Sequence, residues 1–192
     1  MSVITEELLS RRHRITVREY YRMAELGLLA PDARVELVAG EVIDMTPTGP
    51  PHGGNTNFLD YALKQAVGGR ALVRVQLPVR FDEHNEPEPD LAVVKPRTDF
   101  YKDAHPVVAD VMLLVEVSDS TLRYDREVKI PLYAMHGVPE VWIVDLKAES
   151  MHIFRSAVAG GYTDVSSTQA PAAMTIAALP GVAVDLSQLF RR

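Results

Sequence analysis

The stretch from Asp110 to Asp145, DVMLLVEVSDSTLRYDREVKIPLYAMHGVPEVWIVD, contains one residue that its neighbours do not explain. Glu116 stands inside LLVEV, which would be an ordinary buried strand with Leu in its place. An ionised carboxylate is costly in such a setting unless something positive faces it. A metal ion, a lysine or both would meet that need, and Lys129 follows inside a predicted helix. Asp90 is the last polar residue before the apolar run LAVV, a position held rigidly at a strand entrance. Glu36 or Glu41, on a predicted hairpin, adds a further acid. Three strand-borne acids and a lysine are the inventory of a divalent-metal hydrolase, because hard cations such as Mg2+ take carboxylate and carbonyl oxygens. The metal polarises a phosphoryl oxygen and lowers the pKa of a bound water, and a desolvated lysine can orient or deprotonate that water.

The elements that must position these groups follow from periodicity. Thr16 opens T-V-R-E, a capping-box pattern, and Val17, Tyr20, Tyr21, Ala24 and Leu28 recur at helical spacing up to Gly27 and just past it. Arg34 to Met45 reads as a tight hairpin turning at Ala39-Gly40. In that register Glu36, Val38, Glu41 and Ile43 share one face, so two glutamates look out on the same side, as a solvated face or as an acidic site wall. Residues 46 to 54, TPTGPPHGG, read as a constrained loop that could aim His52 at a site, before a helix beginning near Asn55 and ending at Gly68-Gly69. Leu72 to Phe81 reads as a strand with Pro78 as an irregularity, and Asp82 to Asp90 as an acidic turn. In the central helix Asp125, Lys129 and Tyr133 are spaced i, i+4, i+8 and lie along one face; Asp125 in the first turn also favours the helix dipole. A hairpin spanning Met151 to Val165 and a final strand with a helical turn complete a single α/β or α+β domain, 1–192, preceded by an arm at 1–15.

Composition narrows the class. The chain has 192 residues, 47% of them hydrophobic, enough for one well-cored domain. A net charge of -6 argues against binding nucleic acid by bulk electrostatics, though an acidic site filled by cations is compatible with it. There is no cysteine, which excludes disulfides and thiolate metal sites and fits a reducing cytoplasm. No stretch approaches the roughly 18 apolar residues of a membrane span, so a soluble cytoplasmic protein is expected.

Several motifs in order carry a resemblance: E-L-V-A-G-E (36–41), P-x-G-P-P-H (47–52), Q-L-P-V (76–79), E-P-D-L-A-V-V (88–94), V-E-V-S-D-S-T (115–121), Y-D-x-x-x-K (124–129) and Y-A-M-H-G-V-P-E-V-W-I-V-D (133–145). The series resembles the Uma-type restriction endonuclease family of bacteria, assigned to the PD-(D/E)XK nuclease superfamily, over roughly residues 16 to 155. The resemblance implies a restriction-endonuclease-like mixed β-sheet flanked by helices, with an extra N-terminal helix and hairpin. It also implies Mg2+, or Mn2+ in its place, and phosphodiester cleavage. Pro89-Asp90 stands where the superfamily has its PD, and Glu116 is the second acid. The lysine expected two residues later is absent, since that position is Ser118; in this family Lys129 takes its place. Glu36 is the additional acid, with Glu41 as the fallback, and Gln76 is a supporting residue that orients water or metal.

The expected function is therefore a Mg2+-dependent endonuclease acting on DNA, with catalytic Glu36, Asp90, Glu116 and Lys129. The metal falls to Asp90, Glu116 and Glu36; Glu41, His52, Gln76 and Asp125 are supporting positions. A homodimer suits the cutting of both strands of a duplex. Two other classes fit the same residues: an inactive nucleic-acid or protein-binding module, and a metal-dependent hydrolase of a small phosphate ester.

Overall fold

A computed structural model describes residues 11–191. The first ten positions of the expected N-terminal arm lie outside the described residues. The chain divides into two compact units, Met1–Met45 with Arg80–Pro87, and Thr46–Val79 with Glu88–Arg192.

In the first unit, helix α1 (Val17–Glu25) starts on the expected capping box. Thr16 Oγ1 accepts from the Glu19 amide at 3.2 Å, and Glu19 Oε2 accepts from the Thr16 amide at 2.8 Å. The hairpin of β1 (Val35–Val38) and β2 (Glu41–Asp44) has the predicted register, with Val38 opposite Glu41 and Glu36 opposite Ile43. Its turn residues Ala39 and Gly40 have φ of 54° and 75°, the mirror-image geometry that suits the twist of a tight hairpin. Burial then separates the two glutamates. Glu36 is buried, whereas Glu41 is exposed and pairs with Arg12. The acidic turn is less superficial than its composition suggests. Glu86 is buried, its amide donates to Leu37 O at 2.8 Å, and its carboxylate accepts from Tyr21 Oη and Arg80 Nε, both at 2.5 Å.

In the second unit, six strands run in the order β3-β4-β5-β6-β7-β8. These are β3 (Leu72–Val75), β4 (Leu91–Val94), β5 (Val111–Ser118), β6 (Glu140–Asp145), β7 (Ser150–Val158) and β8 (Gly161–Thr168). Every pairing is antiparallel except β5 with β6, which are parallel. A parallel pair needs a long crossover, and helix α3 supplies it. Helix α3 is built from the α-helical segment Leu122–Tyr124, a π-helical turn Asp125–Lys129 and the α-helical segment Ile130–Met135. Helix α2 (Pro50–Val67) buries Leu59, Leu63 and Val67 against Leu91, Val93, Leu113, Val115, Val117 and Trp142 on one sheet face. Strand alternation places Asp90, Ala92, Leu114, Glu116 and Ser118 on the opposite face. The pair β9 (Ala173–Thr175) and β10 (Ala183–Asp185) forms a separate small sheet that packs beside α2.

Two expected boundaries move. Helix α2 begins at Pro50 rather than near Asn55, so His52 lies in its first turn and not in a loop. Gly49 is the N-cap, and Pro50 and Pro51 occupy the positions where a fixed φ helps and a missing N–H costs nothing. Strand β3 stops at Val75 rather than running to Phe81, because Gln76 turns to φ 47° and Pro78 cannot donate to a ladder.

Candidate functional site

The site is built where β3, β4, β5, α2 and α3 of the second unit bring polar groups together around Asp90 and Glu116. Leu91 is the cross-strand partner of Val115, so the preceding Asp90 stands opposite Glu116. Directly opposed residues of an antiparallel pair share a face, with Cβ atoms about 5 Å apart. The Val117 amide donates to Asp90 Oδ2 at 2.8 Å, which fixes Asp90 against β5.

Three more groups orient Asp90. His52 Nε2 lies 3.1 Å from Oδ2, and Gln76 Nε2 donates to Oδ1 at 3.2 Å. The Gln76 amide also donates to the Asp90 carbonyl at 3.0 Å, so the left-handed turn that ends β3 is what aims the Gln76 side chain. His52 is itself held from below, where the Thr56 hydroxyl donates to its carbonyl at 2.9 Å within α2. Burial alone pushes the Asp90 carboxyl up. The bonds from His52, the Val117 amide and Gln76 outweigh burial and hold the group below the usual carboxylate range.

Glu116 has the opposite balance. Its side chain is 4% exposed, and Oε1 accepts from Lys129 Nζ at 3.2 Å and from the Tyr133 hydroxyl. Burial pushes its carboxyl up to about 8; the Lys129 ammonium opposes this, and the negative charges of Asp125 and Asp90 add to it. Two acids on one face, one held low and one held high, are a pair pulled apart by environment. Asp125 is also buried. Its Oδ2 accepts from Ser118 Oγ at 2.7 Å and from Thr121 Oγ1 at 2.8 Å, and its carboxyl is pushed up by burial against the pull of Lys129.

The structure thus brings together Asp90, Glu116, Lys129, His52, Gln76 and Asp125. Glu36 and Glu41 belong to the other unit, where Glu36 is buried and Glu41 lies at the surface. Two participants were missed. Tyr133 is visible in the i, i+4, i+8 spacing, which by itself gives it no role. Ser118 reads only as an absent lysine.

Among the described residues, no group of three or more His, Asp or Glu side chains is arranged to hold a metal ion. The Asp90–Glu116 pair nevertheless fits a hard cation on its own chemistry. Like-charged residues directly opposite each other repel, and Mg2+ needs only one or two protein carboxylates when substrate phosphate and water complete its shell. Glu116 Oε2 makes no hydrogen bond among the described residues, and it is the oxygen left to face a cation.

A mixed six-stranded sheet with helices on its faces, and acids opposed across its central strands, is a nuclease-like architecture. The structure is similar to the crystal structure of a "putative nuclease belonging to DUF820" from Anabaena variabilis ATCC 29413. The TM-score is 0.68 and the identity 16%, over 92% of this chain and 97% of that one. Residues 17–187 match the Uma2 family, described as "Putative restriction endonuclease", and the chain belongs to that family. No curated protein matches the sequence. Among the described residues no helix is long and apolar enough to cross a membrane.

Proposed function

We propose that this protein is a Mg2+-dependent endonuclease that hydrolyses DNA phosphodiesters, with Mn2+ able to replace Mg2+. The observation that carries this reading is the convergence of Lys129 on Glu116 directly across from Asp90. Asp90 and Glu116 would hold the ion, which when bound supplies Lewis-acid polarisation of the phosphoryl group and a more acidic coordinated water. His52, Gln76 and the Val117 amide keep Asp90 ionised and in one rotamer. Lys129 orients the attacking water beside Glu116 and offsets the negative charge that builds on the phosphoryl oxygens. Hydrolysis adds water across one P–O bond: the attacking oxygen loses a proton and the leaving oxygen gains one. A homodimer cutting both strands completes the proposal.

Two observations favour a second reading, an inactive nucleic-acid or protein-binding module. The Lys129 charge already rests on Glu116 at a buried site, and the chain carries a net charge of -6. The two readings separate in one experiment. Purified protein is incubated with plasmid and single-stranded DNA in Mg2+, Mn2+ or EDTA. Metal-dependent nicking that disappears in Asp90→Ala and Lys129→Ala supports the nuclease. Tight binding without cleavage supports the module, and cleavage indifferent to both substitutions overturns the site.

A further inference from the structure

Helix α3 has a defect in its middle, and the defect decides where Lys129 points. In a regular α-helix each residue turns about 100°, so residues i, i+4 and i+8 drift by about 40° at each step. Asp125, Lys129 and Tyr133 would then fan across roughly 80° of the helix surface. The turn Asp125–Lys129 is instead π-helical, and the Ile130 amide donates to the Asp125 carbonyl five residues back. Such a turn takes about 4.4 residues and rotates the chain the other way over four residues, by roughly 30°. Lys129 and Tyr133 therefore both stay over the sheet, and both donate to the same oxygen, Glu116 Oε1. Pro131 accounts for the defect locally, because it has no N–H for an α-helical bond and its ring crowds the preceding turn.

The defect begins at Asp125, which is anchored from two sides. Ser118, fully buried at the end of β5 and on the same strand face as Glu116, donates to Oδ2 at 2.7 Å. Thr121, in the loop between β5 and α3, donates to the same oxygen at 2.8 Å. The strand that carries Glu116 thus also grips the first residue of the π turn.

We infer that Asp125 is a positioning residue: clamped by Ser118 and Thr121, it sets the start of the π turn and so delivers Lys129 and Tyr133 to Glu116. The kinetic consequence rests on the nuclease reading; the structural consequence does not. Asp125→Ala removes the clamp, whereas Asp125→Asn keeps an oxygen that can accept both hydroxyls.

The test measures metal-dependent cleavage at saturating DNA, the KM for DNA, and the NMR resonance of the Tyr133 hydroxyl proton, assigned by its loss in Tyr133→Phe. In Asp125→Ala, kcat falls by about 10- to 100-fold with KM little changed, the cost of a displaced catalytic group. The Tyr133 resonance shifts or vanishes with it. Asp125→Asn restores most of kcat and keeps the resonance. Should Asp125→Ala fail to fold, Ser118→Ala and Thr121→Val each remove one anchor and give a smaller fall of the same kind. A fall in Asp125→Asn as deep as in Asp125→Ala would mean that the charge itself takes part, overturning the positioning role. So would a variant lacking the clamp with kcat and the Tyr133 resonance both unmoved. If the wild-type protein cleaves nothing, the nuclease reading fails, and the resonance alone still decides whether the clamp sets the Tyr133–Glu116 contact.

Discussion

Lys129 Nζ lies 3.2 Å from Glu116 Oε1, and this contact joins a strand to the helix that immediately follows it, with both side chains almost removed from water. Breaking a buried ion pair by deleting one partner strands the other charge, which costs about 3 kcal/mol or more. Lys129→Met should therefore destabilise the metal-free protein by that order only near pH 9.5, above the value of about 8 at which the Glu116 carboxyl ionises. The cost should shrink near pH 5, where Glu116 takes up a proton. The double variant Glu116→Gln/Lys129→Met should recover part of the loss. Urea unfolding of the two single variants and the double variant at both pH values checks this, and a pH-independent loss would show that packing, not charge, dominates.

The contact between His52 and Asp90 makes a different prediction. His52 Nε2 is 3.1 Å from Asp90 Oδ2 and helps to hold that carboxyl below its ordinary range. Partners that orient a ligating carboxylate typically change metal affinity by 10- to 100-fold when removed. His52→Ala should weaken Mn2+ binding by about 10-fold while leaving the melting temperature of the metal-free protein within a few degrees. Titration calorimetry reads this directly; unchanged affinity would separate His52 from the ion site.

How much of this was legible follows from the physics of each residue. The strand β5 and its odd carboxylate were readable, because an acid in an apolar run violates a rule that admits few explanations. The hairpin register followed from Ala39-Gly40, since a tight turn fixes which residues face each other. The start of α2 was misplaced because Pro-Pro is read as a breaker, although at the first helical positions it is tolerated. The depth of Glu86 was hidden, because an acidic, proline-rich turn looks like surface until Tyr21 and Arg80 are folded onto it. The π turn left no mark in the periodicity, since a lysine four residues after an aspartate suits an α-helix equally well.

Gly40 allows a test of backbone demand in the first unit. It sits at φ 75°, and a Cβ there would lie 2.7 Å from Arg14 Cβ. Gly27 has a similar φ of 70° with nothing within 4 Å. Gly27→Ala should cost about 1 kcal/mol through backbone strain alone. Gly40→Ala should cost distinctly more, because the clash adds to the same strain. Thermal melts of both variants compare the two terms. Equal losses would mean that the Arg14 segment yields freely.

The pH dependence of stability follows from the divergent pair. Glu116 rises from 4.5 to about 8 on folding, so between those values the folded state holds a proton that the unfolded chain has released. Stability from this group is complete below pH 4.5 and is lost as pH climbs through about 8. Asp90 has the opposite sign: its lowered pKa contributes stability above the ordinary aspartate value, lost as pH falls further into the acid range. In EDTA the melting temperature should therefore be higher near pH 5 than near pH 8.5. Glu116→Gln should flatten that decline, since an amide has no proton to release. A divalent ion competes for the same oxygens as the proton, and binding that releases a proton grows stronger as pH rises. Added Mg2+ or Mn2+ should then raise the melting temperature at pH 8.5 more than at pH 5, with proton release on binding near pH 7 measurable in buffers of different ionisation enthalpy. A metal-induced shift that is the same at both pH values, with no proton released, would place the ion away from Glu116.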